Sequence, residues 1–133
     1  MESSALVAAL LEHDATAMQP VRVGTRLVTS ALTFAEAFRA IARARAAGRL
    51  DLHRERAAIE ALQVFERRFD VMAVTDAVLT RAGRPLPVEP VRTLDAIHLA
   101  TVELLGEPPQ LVTVLTRDAR VRDNARALGY DVG

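Results

Sequence analysis

The segment "LVTVLTRDARVRDNARALG" (Leu111–Gly129) holds the clearest strand of the chain and a helix directly after it. Its first five residues are apolar or β-branched, which is typical of a strand that is covered on both faces. From Asp118 to Leu128 the pattern predicts a helix, and Gly129 follows where helices commonly end. A buried strand that leads into a helix is the repeating unit of α/β proteins.

The remaining chain continues this alternation. Strands are predicted at "RLVTS", "DVMAV" and, as an edge strand, "YDV", and helices over residues 5–12, 33–47, 51–69, 75–82 and 94–105. The stretch "GRPLPVEPVR" (Gly83–Arg92) contains three prolines and is predicted to be a loop. Over 133 residues we expect one α/β domain, with a mostly parallel central sheet flanked by helices.

The composition excludes several classes of protein. Lys+Arg and Asp+Glu both number 17, which argues against binding nucleic acid through bulk charge alone. Without cysteine there is neither a disulfide nor a thiolate metal site. No apolar run reaches the roughly 20 residues that span a bilayer, and the N-terminus lacks the basic start of a signal peptide. We therefore expect a cytoplasmic protein that makes no membrane contact.

Four acidic residues stand at the predicted beginnings of helices. Glu36 comes six residues after the strand "RLVTS", and Asp118 comes three residues after "LVTVL". Asp95 begins the nearly apolar segment "DAIHLA", and Glu2 precedes the first predicted helix. Ligands of open parallel sheets bind outside the carboxyl ends of the strands, so at least two of these acids are expected there.

Each acid also has an ordinary structural explanation. Thr33 and Glu36 fit a capping box, Asp118 fits an N-cap, and Asp95 suits the positive end of a helix dipole. As a set they are harder to explain in this way, because several carboxylates in one cleft repel one another. A hard divalent cation such as Mg²⁺ or Mn²⁺ would relieve that repulsion. This pattern favours metal-assisted phosphoryl transfer, and nucleotide-binding glycine motifs and the common hydrolase motifs are absent.

Four stretches resemble, in order and spacing, the segments of a PIN domain, and most closely a VapC-type toxin of a bacterial toxin–antitoxin system. They are "ESSALVAALL", "VTSALTFAEAFRAI", "TLDAIHLATVELL" and "LVTVLTRDARVRDNARALGYDV". The resemblance implies that Glu2, Glu36, Asp95 and Asp118 form the acidic quartet that holds the metal. Glu36, Asp95 and Asp118 would carry catalysis. Thr116 would add a hydroxyl near the metal, and Asp123 is a candidate fifth acid.

The same resemblance implies a Mg²⁺- or Mn²⁺-dependent endoribonuclease that acts on RNA, forms a homodimer and is neutralised by a cognate antitoxin protein. Two alternatives remain open. The chain could be a degenerate PIN domain that serves only as a protein-interaction module, or a metal-dependent nuclease that acts on DNA.

Two departures from the family pattern concern the N-terminus. The family has Asp where this chain has Glu2, whose side chain is one methylene longer. The family also has a central strand before that acid, for which almost no residues remain here. We therefore expect that the first strand is missing or truncated and that Met1 is a late start. A strand from the antitoxin or from a second copy is the alternative filler.

Two further features have a packing explanation. His98 has aliphatic neighbours in the sequence, so we expect it to be a packed helix residue rather than a ligand. Phe34 and Phe38 are four residues apart, and they fit either a core pair or a dimer or antitoxin surface.

Overall fold

The protein was analysed as a computed structural model that describes residues 7–11 and 24–133. Within these ranges, five parallel strands form one sheet in the order β3-β2-β1-β4-β5. The strands are β1 (Val7–Leu10), β2 (Arg26–Ser30), β3 (Asp70–Met72), β4 (Val112–Leu115) and β5 (Asp131–Val132). The predicted α/β class is confirmed, and every strand pairing among the described residues is parallel.

Five α-helices of the described part of the chain connect or flank these strands. They are α1 (Ala31–Ala46), α2 (Leu52–Glu66), α3 (Asp76–Ala82), α4 (Thr93–Glu103) and α5 (Ala119–Ala127). A 3₁₀ turn at Pro109–Leu111 leads into β4. Within the described part of the chain, no helix is long and apolar enough to cross a membrane.

Side-chain caps fix the starts of most helices. Asp51, Thr75 and Asp118 accept hydrogen bonds from backbone N–H groups in the first turns of α2, α3 and α5. The predicted capping box of Thr33 and Glu36 is wrong, because α1 begins earlier and is capped by Ser30. Thr33 is instead buried and accepts a hydrogen bond from Thr29. Glu36 is therefore not needed as a cap.

Helices cover both faces of the sheet. Ala9 of β1 belongs to an apolar cluster with residues of α4 and α5, whereas Ala8 and Leu10 belong to a second cluster with Phe34 of α1. Alternate residues of a strand point to opposite faces, so the two clusters lie on opposite sides of β1. Phe34 is 3% exposed and packs against Phe65 and Phe69, which confirms the core assignment for this residue.

The centre of the sheet corrects one prediction. Residues 7–10 lie within the predicted helix over 5–12, yet they form β1 and pair with both β2 and β4. The central position is therefore occupied, and the expected vacancy there is wrong. "VAAL" favours a helix by composition, but burial on both faces makes it a strand. The structure does not show a missing or truncated first strand.

Candidate active site

A cleft of about 130 Å³ opens at the carboxyl edge of the sheet. In the sheet, β1 lies between β2 and β4. The strand that follows β1 in the chain, β2, lies on one side of it, and β4, with β5 beyond it, lies on the other side. The two connections diverge, and this is where open α/β sheets bind their ligands. The described residues that line it are Leu11, Glu36, Arg92, Asp95, His98, Asp118 and Val121. Three of the four predicted acids therefore line one cleft.

Asp118 is held rigidly at the start of α5. Its Oδ1 accepts hydrogen bonds from the N–H groups of Arg120 at 2.9 Å and Val121 at 3.0 Å. Its own N–H donates to Oγ1 of the buried Thr116 at 3.1 Å. The N-cap explanation is therefore confirmed for Oδ1, while Oδ2 lies 3.8 Å from a nitrogen of Arg92 in the cleft. One carboxylate thus caps a helix and also faces the cleft.

Glu36 and Asp95 reach the cleft from two other helices. Glu36 is the sixth residue of α1, which starts directly after β2, and Asp95 lies in the first turn of α4. Their side chains are 24% and 16% exposed. Both carboxylates are therefore shielded from bulk solvent on most sides while part of each remains accessible. That combination suits a group that binds a cation or a reacting atom.

Arg92 places a positive charge among these carboxylates. Its Nε donates to Oδ2 of Asp95 at 3.1 Å. The hydrogen bond to Asp95 and the negative charges of Asp95, Asp118 and Glu36 raise the pKa of Arg92 above its ordinary value. All three acids thus act on one guanidinium. The negative charge of the cleft therefore stabilises one cationic side chain, the guanidinium of Arg92.

The proline-rich loop before α4 carries Arg92, and α5 holds this loop in place. The buried Asn124 accepts a hydrogen bond from the N–H of Val88 at 2.8 Å and donates to the carbonyl of Val88 at 2.9 Å. Arg120 donates to the carbonyl of Pro90 at 2.9 Å. The helix that carries Asp118 at its start therefore also fixes the loop that ends at Arg92.

His98 lines the cleft, which sequence reasoning missed. The side chain is 2% exposed, and its Nε2 lies 2.8 Å from Oε1 of Glu36. The expectation of a buried helix residue is confirmed, but its partner is a predicted site acid and not only aliphatic side chains. A signal existed in the sequence, because His98 follows Asp95 by three residues and so shares its helix face.

The residues of the cleft suit a hard divalent cation. Carboxylate oxygens are the ligands that Mg²⁺ and Mn²⁺ prefer, and these ions keep several waters and need only one or two carboxylates. As they stand, no three acids or histidines among residues 7–11 and 24–133 are close enough together to hold a metal ion. Arg92 supplies positive charge at Asp95 and beside Asp118 in this arrangement. Because Arg92 is 80% exposed, its side chain is free to leave that position.

Asp123 and Thr116, two other predicted site residues, lie outside the cleft lining. Asp123 is exposed on α5 and does not line the cleft. Thr116 is buried and supports the turn before Asp118, outside the cleft lining. Glu2 lies outside the described residues. The helix predicted over residues 5–12 is wrong at residues 7–10, which form β1.

Comparisons with known proteins identify the family of the chain. Residues 1–127 match the model of the PIN domain family. The chain is 40% identical over 138 residues to ribonuclease VapC46 of Mycobacterium tuberculosis, and the match covers 99% of this chain and 93% of that protein. It is 35% identical over 136 residues to ribonuclease VapC35 of the same species, and this match also covers 99% of this chain and 93% of that protein. The chain belongs to the PIN domain family.

Proposed function

We propose that this protein is a VapC-type ribonuclease, the toxin of a type II toxin–antitoxin pair, which hydrolyses RNA phosphodiester bonds with Mg²⁺ or Mn²⁺. The observation that carries the proposal is the convergence of Glu36, Asp95 and Asp118 on one cleft at the carboxyl edge of the sheet. Two relatives that match nearly the whole chain are named ribonucleases. An antitoxin protein, a homodimer and a cytoplasmic location complete the proposal.

The three acids would have related tasks. Glu36, Asp95 and Asp118 would hold the ion, and Asp118 would use its Oδ2 because Oδ1 caps α5. A bound divalent cation would activate a water molecule for attack and neutralise charge on the phosphodiester. The anchored position of Asp118 and the partial burial of Asp95 keep their carboxylates in place, so little reorganisation is required when RNA arrives.

The chain's own charges would also limit unproductive binding. The cleft is negative, so an RNA phosphate is repelled from it until a cation is present. The formal net charge of zero supplies no general attraction to nucleic acid. We therefore expect that RNA binding near the cleft depends on the divalent cation.

Cleavage of RNA by the purified full chain tests the proposal. We expect cleavage with Mn²⁺ or Mg²⁺, none with EDTA, and a loss of more than about 100-fold in Asp95→Asn, which keeps the shape of the side chain but removes the charge. Glu60→Gln is the matched control, because Glu60 is an exposed acid on α2. It should cleave like the wild type.

Four results would contradict the proposal. Cleavage that persists in EDTA would refute the metal-dependent mechanism, and full activity of Asp95→Asn would refute the assignment of that residue. Cleavage of single-stranded DNA in preference to RNA of the same sequence would favour the DNase alternative. If no nucleic acid is cut but a small partner protein is bound tightly, the interaction-module alternative is correct.

A further inference from the structure

His98 and Asp95 lie on the same face of α4, one turn apart. Asp95 points to the cleft with 16% of its side chain exposed, and His98 lies deeper with 2% exposed. His98 reaches across to α1, where its Nε2 lies 2.8 Å from Oε1 of Glu36. The imidazole therefore links the two helices that carry two of the three site acids.

Packing alone does not explain a histidine at this position. The other ring nitrogen, Nδ1, is buried and has no hydrogen-bond partner among the described residues. A buried polar atom without a partner destabilises the folded state, and an apolar side chain of similar size would avoid this cost. The residues on either side of His98 in the sequence, Ile97 and Leu99, are apolar and buried, so leucine would suit the surroundings. What leucine lacks is an N–H group for Glu36.

We propose that His98 is a positioning residue, which fixes the carboxylate of Glu36 for the divalent cation. This inference rests on the proposed function, because it assigns Glu36 to the ion. The hydrogen bond from Nε2 occupies Oε1 and leaves Oε2 for the cation. The glutamate side chain has several rotatable bonds, so one fixed oxygen restricts where the other can lie.

The expected effect follows from the behaviour of such supporting groups. Residues that hydrogen-bond a metal-ligating carboxylate commonly change metal affinity or activity by about 10–100-fold when they are removed. His98→Leu should therefore weaken Mn²⁺ binding by about this factor. His98→Gln should keep most of the affinity, because the glutamine amide carries an N–H donor at about the reach of Nε2.

Titration calorimetry of Mn²⁺ into the metal-free full chain provides the test, using wild type, His98→Leu, His98→Gln and Thr101→Val. Thr101 is the matched control, since it is 4% exposed and lies one turn further along α4. Among residues 7–11 and 24–133, its hydroxyl bonds only within its own helix, at the carbonyl of Ile97. We expect weak binding in His98→Leu and binding within a few-fold of wild type in the other two. In RNA cleavage at saturating Mn²⁺, His98→Leu should lower kcat and leave KM for RNA unchanged.

The outcomes separate this inference from the proposed function. If the wild type binds Mn²⁺ and His98→Leu binds it equally well, the positioning role is wrong and the proposed function stands. The role is also wrong if His98→Gln is as weak as His98→Leu, or if Thr101→Val loses the same affinity. If the wild type binds no Mn²⁺, the metal-dependent function fails and this inference fails with it.

A second measurement decides the question if His98→Leu does not fold. The ring nitrogens of the wild type can be observed by ¹⁵N NMR, with the His98 signals assigned from their absence in His98→Gln. Glu36→Gln should shift the Nε2 signal before any metal is added, and Mg²⁺ should shift it in the wild type. A His98 signal that responds to neither change would overturn the inference.

Discussion

A divalent cation in the cleft would compete with Arg92 for the carboxylates of Asp95 and Asp118. Arg92 donates to Asp95 at 3.1 Å and lies 3.8 Å from Asp118, and the charge of Glu36 also acts on it. Its side chain is 80% exposed, so water and salt weaken these ion pairs. Arg92 is thus a counter-ion that balances part of the negative charge without closing the cleft.

Replacing Arg92 by glutamine should strengthen Mn²⁺ binding. The change removes a competing positive charge, and we expect an increase of less than about tenfold because exposed ion pairs are weak. Calorimetric titration with Mn²⁺ measures the effect, and Arg56→Gln on the exposed side of α2 is the control. Weaker Mn²⁺ binding in Arg92→Gln would show that the guanidinium supports the site instead of competing for it.

Single residues differ in how far the sequence predicts them. Glu36 and Asp118 could be placed because both follow strands, and Asp95 because a carboxylate heads an apolar helix. The contact of His98 with Glu36 could not be predicted, because 62 residues separate the two in the sequence. It depends on how α1 and α4 pack on the sheet. The ion pair of Arg92 with Asp95 lies within one short stretch, yet it depends on rotamers that periodicity does not define.

The turn between α5 and β5 shows how one helix end is built. Gly129 has a φ of +96°, a conformation that residues with a side chain rarely adopt, and the N–H of Tyr130 donates to the carbonyl of Ala125. Tyr130 then packs into the apolar cluster beneath α4 and α5. Burial, with a smaller effect from the charge of Glu103, raises the pKa of Tyr130 above its ordinary value.

This raised pKa predicts a loss of stability in alkaline solution. A phenol whose pKa is higher in the folded state stabilises the protein below the unfolded value of about 10, and this contribution is lost as the pH rises further. The chain has no lysine, no cysteine and a single tyrosine, so no other side chain titrates near pH 10. Tyr130→Phe should therefore lose less stability than wild type between pH 9 and 11 in urea unfolding. Equal losses in the two proteins would contradict the assignment.

Among the elements, β1 was predicted least well. Its four residues "VAAL" are too few to show a period, and their alanines and leucine favour a helix in isolation. They form a strand because β2 and β4 pair with both edges and apolar clusters cover both faces. Tertiary pairing is not needed to predict four other elements, because their own sequences are informative. These are the β-branched strand β4 and the capped helices α2, α3 and α5, whose observed bounds lie close to the predicted ones.

At the scale of the whole molecule, the topology brings the site together. The acids come from α1, α4 and the start of α5, and they meet because β1 lies between β2 and β4 and the two connections diverge there. The parallel order of the sheet could be expected from the alternation of strands and helices. The position of β1 at its centre could not be read from these residues, since it follows from pairing with distant strands.

The central claim is that Glu36, Asp95 and Asp118 share a divalent cation. A crystal structure of the full chain grown with Mn²⁺, with diffraction recorded at the manganese absorption edge, tests it most directly. The account predicts an anomalous peak in the cleft within ligand distance of at least two of these carboxylates, with the Arg92 guanidinium displaced from Asp95. A cleft without an anomalous peak at saturating Mn²⁺, with Arg92 still bound to Asp95, would contradict it.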